Sequence, residues 1–312
     1  MKHFRTHQKQ ILAAALLVVF GLYFWFNKAD FSSLRNVGPG YLALVGLGYV
    51  GIVITNGLFI QYVVRPFKVR LSMYESTRVS LISSLGNFFA SSGAGLGLRA
   101  IYLKKRHGLA YGDYITTLYG NYLLIFIVNA VAGLTSLALA PQRSGVIYWL
   151  AVAAFCSLLT IATMFCFVAI KDSKKQSIAG KIQRSLHMMT SGWRTVAQNK
   201  KLLFSLGGLI AGQLVLTMAI LYFEVVALGI TVSISGLLFL SVLGALSVFI
   251  NVTPANLGIK EGVYILSASI VGLTTNQILS VAIIDRGVLF ITLGLLWLII
   301  GKNRTGQEAY AA

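Results

Sequence analysis

The sequence predicts an all-α integral membrane protein: a polytopic helical bundle of about six full spans plus two re-entrant hairpins in an inverted-topology repeat. Three observations carry this. Of the 312 residues 57% are apolar and only 11% charged, against about 25% charged in a soluble domain. A soluble core has no room for that much apolar surface, whereas a bilayer solvates it. Six apolar stretches, at 11–27, 40–64, 114–140, 146–170, 202–226 and 278–301, are long enough to cross, the first only barely. Finally, the basic residues fall on alternate connecting segments.

The stretch 11–27 follows Lys2, Arg5 and Lys9 as the apolar part of a signal peptide would. No small-residue cleavage site follows it, so it reads as an uncleaved first span. Pro39 and Gly40 punctuate the entry to the second stretch, and Pro141 the end of the third. Trp25, Trp149 and Trp297 lie near predicted span ends, where an indole anchors at the interface. Cys156 and Cys166 lie in one apolar stretch without metal or redox spacing and read as small buried hydrophobes.

The net charge of +18 would suit a nucleic-acid binder, but its placement argues otherwise. Of 26 basic residues, 21 lie on one set of segments: Lys2 to Lys9, Arg65 to Arg78, Arg99 to Arg106, Lys171 to Lys201, and Lys302 with Arg304. The opposite set holds only Lys28, Arg35 and Arg143, which leaves Lys260 and Arg286 inside apolar sequence. The positive-inside rule accounts for the charge, predicts both termini in the cytoplasm of a multi-pass cell-membrane protein, and removes nucleic acid as a partner.

Two apolar stretches do not fit as simple crossings. Val79 to Leu103 begins and ends beside cytoplasmic charge and is broken by Ser91, Ser92, Gly93, Ala94, Gly95, Leu96 and Gly97. Leu237 to Gly272 has both flanks outside and is broken at 251–258 by Asn251, Thr253, Pro254, Asn256 and Gly258. Glycine and proline interrupt helices, and a break at membrane depth is tolerated only inside protein or a water-filled cavity. Both read as re-entrant hairpins, one from each side. The two also resemble each other. Leu96, Gly97, Leu98 and Arg99 align with Leu257, Gly258, Ile259 and Lys260, and Gly108-Leu109 with Gly272-Leu273. Thirteen residues beyond these glycines stand Asn121-Tyr122 and Asp285-Arg286. One transmembrane domain over 1–312 thus divides into a first repeat (40–140), a cytoplasmic amphipathic linker (171–201) and a second repeat (202–301). Repeats of opposite topology are a plan of secondary transporters. The linker carries Ile178, Ile182, Leu186, Met189, Trp193 and Val196 at helical spacing with Lys181, Arg184 and Arg194 elsewhere on the wheel. This suits a helix lying on the cytoplasmic leaflet, or equally a scaffold between the halves.

Only eight acidic residues exist, so each is informative. Ionisable groups at membrane depth are costly and mark functional sites. Arg99, Lys260, Glu261, Asp285 and Arg286 qualify, with Asn87, Asn251, Pro254 and Gly258 shaping the breaks beside them. Glu261 pairing with Arg286 or Lys260 would lock helices together. A polar cavity in which Arg99, Lys260 or Arg286 meets a phosphate is the functional alternative, and the two are compatible. Glu75 and Arg78 read as a surface pair and Glu224 as interfacial. His3, His7, His107 and His187 lack metal-ligand spacing, and neither a nucleophile elbow nor a phosphate loop is present; no metal or cofactor is expected.

These residues resemble the transmembrane (flippase) domain of the lysylphosphatidylglycerol synthase family. Asn87, Gly93, Gly95, Arg99, Lys104 to Arg106 and Gly108-Leu109 are similar to its first motif. Thr253-Pro254, Leu257-Gly258, Lys260, Glu261-Gly262, Gly272-Leu273 and Arg286 are similar to its second. The first break has Ser91 and Ser92 where the family carries proline, and Asn121-Tyr122 is neutral where a charged pair is usual. No soluble aminoacyl-transferase domain follows the last span, so the chain is not expected to charge a lipid itself. The resemblance implies a flippase or transporter moving a phospholipid with a polar head group between leaflets. The alternatives are a membrane enzyme acting on a lipid carrier and a non-catalytic partner of a separate lipid-modifying synthase.

Overall fold

The computed structural model describes residues 34, 37–89, 93–140, 144–168, 177–250, 253 and 256–301. The stretch 11–27, read as the first span, lies outside them. Among the described residues the secondary structure is helical throughout.

Five helices are long and apolar enough to cross a membrane. Helix α1 (Pro39–Val64) starts on Pro39, whose fixed φ suits the first helical turn, and ends in a 3-10 turn, Arg65–Phe67. Two shorter helices, α2 (Met73–Phe89) and α3 (Ala94–His107), precede α4 (Tyr111–Ala138) and α5 (Val146–Phe167). Then come α6 (Ile178–Gln198) and α7 (Lys200–Ala227). Helix α8 (Ile234–Ser247) is followed by α9 (Ile259–Leu266), α10 (Ala268–Val271) and α11 (Thr275–Leu296), which continues as a π turn, Trp297–Gly301. These five are α1, α4, α5, α7 and α11, which match the five other predicted stretches to within a few residues. This is a multi-pass membrane protein. Its outer face fits that medium: Leu47, Trp149, Phe167, Phe204 and Ile299 are all exposed, which lipid tolerates and water does not. On α5 only Tyr148, Phe155 and Ala162 are buried, so that helix stands at the periphery. Cys156 is on its exposed face, a correction to the expectation of a buried thiol.

The shorter helices form two antiparallel pairs. In the first, Gly86 lies against Gly95 and Leu98, Ser83 against Arg99, and Glu75 against Tyr102 and His107. In the second, Ser247 meets Asn256, Gly244 meets Tyr264 and Lys260, and Gly236 meets Val271. At 1.5 Å per residue, the 17 residues of α2 reach about 25 Å, short of a bilayer core of about 30 Å.

The buried apolar residues form two main clusters stacked along the long helices. One takes Val45 and Tyr49 of α1, Ala130 and Leu137 of α4, and Ile220 to Leu228 around the end of α7, together with α8, α9 and α10. The other takes Phe59 to Val64 of α1, Tyr114 to Leu124 of α4 and Leu202 to Ile210 of α7, together with α2 and α3. Helix α1 therefore runs opposite to α4 and α7, and the two short pairs belong to opposite ends of the bundle. Their tips reach the long helices: Phe88 and Phe89 stack on Phe290 of α11, and Phe249 stacks on Tyr122 and Phe126 of α4.

Small residues set the close contacts, as is usual between helices in lipid. An added Cβ on Gly48 of α1 would lie 2.5 Å from Ile220 of α7, and one on Gly192 of α6 would lie 1.8 Å from the Thr116 carbonyl oxygen of α4. Helix α6 forms where the amphipathic linker was expected, capped by Ser177, whose Oγ accepts from the Gly180 N–H at 3.1 Å. It does more than lie on a surface, since Thr190 and Val196 are buried against the bundle. The carbonyls ending α11 are satisfied by α2: Arg78 donates to Gly301 at 3.2 Å and Tyr74 to Ile300 at 3.4 Å.

Candidate functional site

The second break is tied down by its own side chains. Asn256 holds a left-handed φ of 57° and donates from Nδ2 to Ser247 Oγ at 2.9 Å. The Thr253 hydroxyl donates to the Leu257 carbonyl at 2.7 Å. Gly258, at φ 81°, is the N-cap of α9; a side chain there would be strained. Having none, it cannot cap the helix. Glu261, three residues on, reaches back and accepts the Gly258 N–H on Oε2 at 2.8 Å, the carboxylate half of a capping box.

The other oxygen of Glu261 faces α11. Oε1 accepts from Arg286 Nε at 3.1 Å and from Nη2 at 2.9 Å, and Nη2 also donates to the Asn256 carbonyl at 3.4 Å. One position back on each helix, Lys260 Nζ donates to Asp285 Oδ2 at 3.0 Å. The hydroxyl of Tyr49, on α1, donates to Asp285 Oδ1. Two ion pairs thus form parallel rungs between α9 and α11. Their carboxylate side chains are 4–6% exposed, whereas Lys260 and Arg286 are 21% and 18% exposed. The anions are enclosed and the cations approach from the open side. Removing one partner of such a pair leaves an uncompensated buried charge, at about 3–5 kcal/mol.

Glu224, read from sequence as interfacial, is instead fully buried, and among the described residues neither of its carboxyl oxygens has a hydrogen-bond partner. It lies one turn beyond Ile220, which packs on Gly48 beside Tyr49. Asp285 and Lys260 act on it electrostatically.

The first break is built on the same lines without the acids. Gly93, at φ 75°, is the N-cap of α3, and Asn87 Oδ1 accepts the Gly95 N–H at 3.0 Å. Gly95 is obligatory there, because a Cβ would lie 2.1 Å from the Ser83 carbonyl oxygen. Arg99 donates from Nε to Ser83 Oγ at 3.3 Å, and among the described residues it has no carboxylate partner. Tyr114 and Tyr122 lie within its electrostatic reach. Asn121, at the position aligned with Asp285, is buried, donates to Thr117 O at 2.9 Å and has no partner for its Oδ1 among the described residues.

Near the start of α2, Glu75 accepts from Tyr102 at 2.6 Å and contacts His107 Nε2 at 2.7 Å. Burial pushes its carboxyl up, but these bonds and the His107 charge outweigh that and hold it below the ordinary glutamate value.

Of the residues expected at a site, Gly258, Lys260, Glu261, Asp285 and Arg286 converge in one cluster. Asn87 and Arg99 form a second, at the other hairpin. Asn251 and Pro254 lie outside the described residues. Tyr49, Glu224, Asn256 and Ser83 were missed. Only the rarity of acids pointed to Glu224, and nothing in the local pattern of Tyr49 set it apart from other span tyrosines. A cavity of about 340 Å³ at the start of α11, lined by Thr274, Asn276, Gln277 and Ser280 with residues 228–230, holds neither ion pair. Among the described residues, no three His, Cys, Asp or Glu side chains are grouped to hold a metal ion.

No curated protein matches the chain. Residues 10–296 match the family described as the lysylphosphatidylglycerol synthase TM region, and the chain belongs to that family.

Proposed function

We propose that this member of the family is a lipid transporter that moves a phospholipid with a polar, phosphate-bearing head group between leaflets. The carrying observation is the contrast between the two breaks. Lys260 and Arg286 are each neutralised by a carboxylate, while Arg99 donates to the Ser83 hydroxyl and has no carboxylate partner among the described residues. A guanidinium with no carboxylate beside it among the described residues suits bidentate recognition of phosphate. Ser83, Tyr114 and Tyr122 around it would add hydroxyls to such a site.

The two antiparallel pairs are read as re-entrant hairpins of an inverted repeat, 40–140 and 202–301. In support, they pack in opposite apolar layers, and each tip stacks on the last helix of the other half. With the basic segments inside, α2 and α3 enter from the cytoplasm, α8 to α10 enter from outside, and both termini are cytoplasmic. Arg99 then receives the head group from the inner leaflet.

The test uses purified protein in vesicles containing a head-group-labelled fluorescent phosphatidylglycerol, with a membrane-impermeant quencher reporting the accessible leaflet. Wild type should expose the inner-leaflet probe, and Arg99→Ala should slow this at least tenfold without loss of fold. Transfer by Arg99→Ala at the wild-type rate would sink the assignment of the head group to Arg99. Wild-type vesicles no faster than protein-free ones would sink the transport reading.

A further inference from the structure

Charge counting around Asp285 leaves one group unexplained. Arg286 is matched by Glu261, so Lys260 remains as the one cation facing two carboxyls, Asp285 and Glu224. Both carboxyls are enclosed, with the partly exposed Lys260 reaching in to Asp285, and an uncompensated buried carboxylate is far costlier than a neutral acid. The trio is neutral only when its two carboxyls hold one proton between them. Asp285 receives donors from both Tyr49 and Lys260, which stabilise its ionised form. Glu224 receives none among the described residues and is fully enclosed. We propose that Glu224 is a proton-binding site, holding the single proton that the trio Glu224, Asp285 and Lys260 shares, and that it becomes the counter-ion of Lys260 whenever Asp285 is neutral.

The surroundings agree with this. Glu224 also acts on Tyr49 from α1 and Tyr264 from α9, and the buried Tyr264 hydroxyl likewise has no hydrogen-bond partner among the described residues. Helix α8, packed alongside, contains no titratable side chain. The titratable residues of α4 end at Tyr122, in its first half, and α6 meets α7 at its first turns, through Val196 and Leu202. Among the described residues, Asp285 and Lys260 are the charged groups that act on Glu224. In the switch the O–H bond of Glu224 breaks as one forms on Asp285, with Lys260 exchanging one carboxylate for the other. One proton moves and the net charge is unchanged.

The proton site stands apart from the transport reading, and its test involves no transport. Infrared difference spectra of the purified protein between neutral and alkaline pH should show one protonated-carboxyl C=O band that shifts in D2O. Glu224→Gln, a near-isostere of the neutral acid that keeps the fold, should lose it. Asp285→Asn removes the competing carboxyl, so Glu224 must ionise to match Lys260 and the band should vanish. Adding Lys260→Met to that variant should restore it. The proposal is overturned if wild type has no such band, if Glu224→Gln retains it, or if folded Asp285→Asn leaves it unchanged. Should Asp285→Asn fail to fold, the comparison of wild type with Glu224→Gln decides.

Discussion

At the scale of the residue, rarity is a strong signal in an apolar chain. Lys260, Glu261, Asp285 and Arg286 stand out because every ionisable group at depth must be offset. Their pairing could not be read, because Lys260 and Glu261 are neighbours and either could face α11. The αL turn at Gly258 decides it by committing one oxygen of Glu261 to the N-terminus of α9 and the other to Arg286. Glu75 gives a pH prediction with a definite sign. Its folded value lies below the unfolded glutamate value of about 4.3. Its contribution is therefore complete above that value and is lost as pH falls through the lower, folded value. Thermal midpoints measured from neutral to about pH 3 should fall more steeply for wild type than for Glu75→Gln; parallel curves would exclude this contact as an acid-labile clasp between α2 and α3.

At the scale of the element, periodicity located the spans and glycine runs located the breaks. It did not locate the faces. Helices α1, α5, α7 and α8 are apolar all round, so no stripe of polar residues marks which side is lipid-facing. That is why Cys156 was expected inside and Glu224 at an interface. Helix α6 is the exception, being amphipathic, and its existence was legible, though its docking was not. The contact between Gly192 and the α4 backbone makes a sharp prediction. Gly192→Val places a Cβ about where the Thr116 carbonyl oxygen stands, 1.8 Å away, and backbone cannot yield as a side chain can. Overpacking of this kind costs about 1–3 kcal/mol or more, so the variant should unfold at a clearly lower temperature in detergent. Gly207→Ala, with nothing within 4 Å of its Cβ, is the control and should match wild type or exceed it.

At the scale of the whole molecule, the two stacked apolar layers and the opposed hairpins predict sidedness. In a variant lacking Cys156 and Cys166, single cysteines at Ser144 and Thr231, both exposed, should react with an impermeant maleimide on intact cells. Cysteines at Lys68 and Lys105, also exposed, should react only after permeabilisation. Reaction of all four from one side would overturn the assigned topology.

Composition, charge placement and glycine spacing were enough to determine a membrane bundle, its long helices, its two breaks and the few ionisable residues worth watching. These follow from the cost of placing charge and unsatisfied backbone in lipid, which acts on each segment separately and is therefore written locally. The tertiary structure alone decided that Lys260 and Arg286 are already neutralised, that Arg99 has no carboxylate partner among the described residues, and that Glu224 is enclosed beside Asp285. Those outcomes depend on how each helix is rotated about its axis. That rotation is set by close contacts such as Gly48 on Ile220 and Gly192 on Thr116, which join residues far apart in the chain.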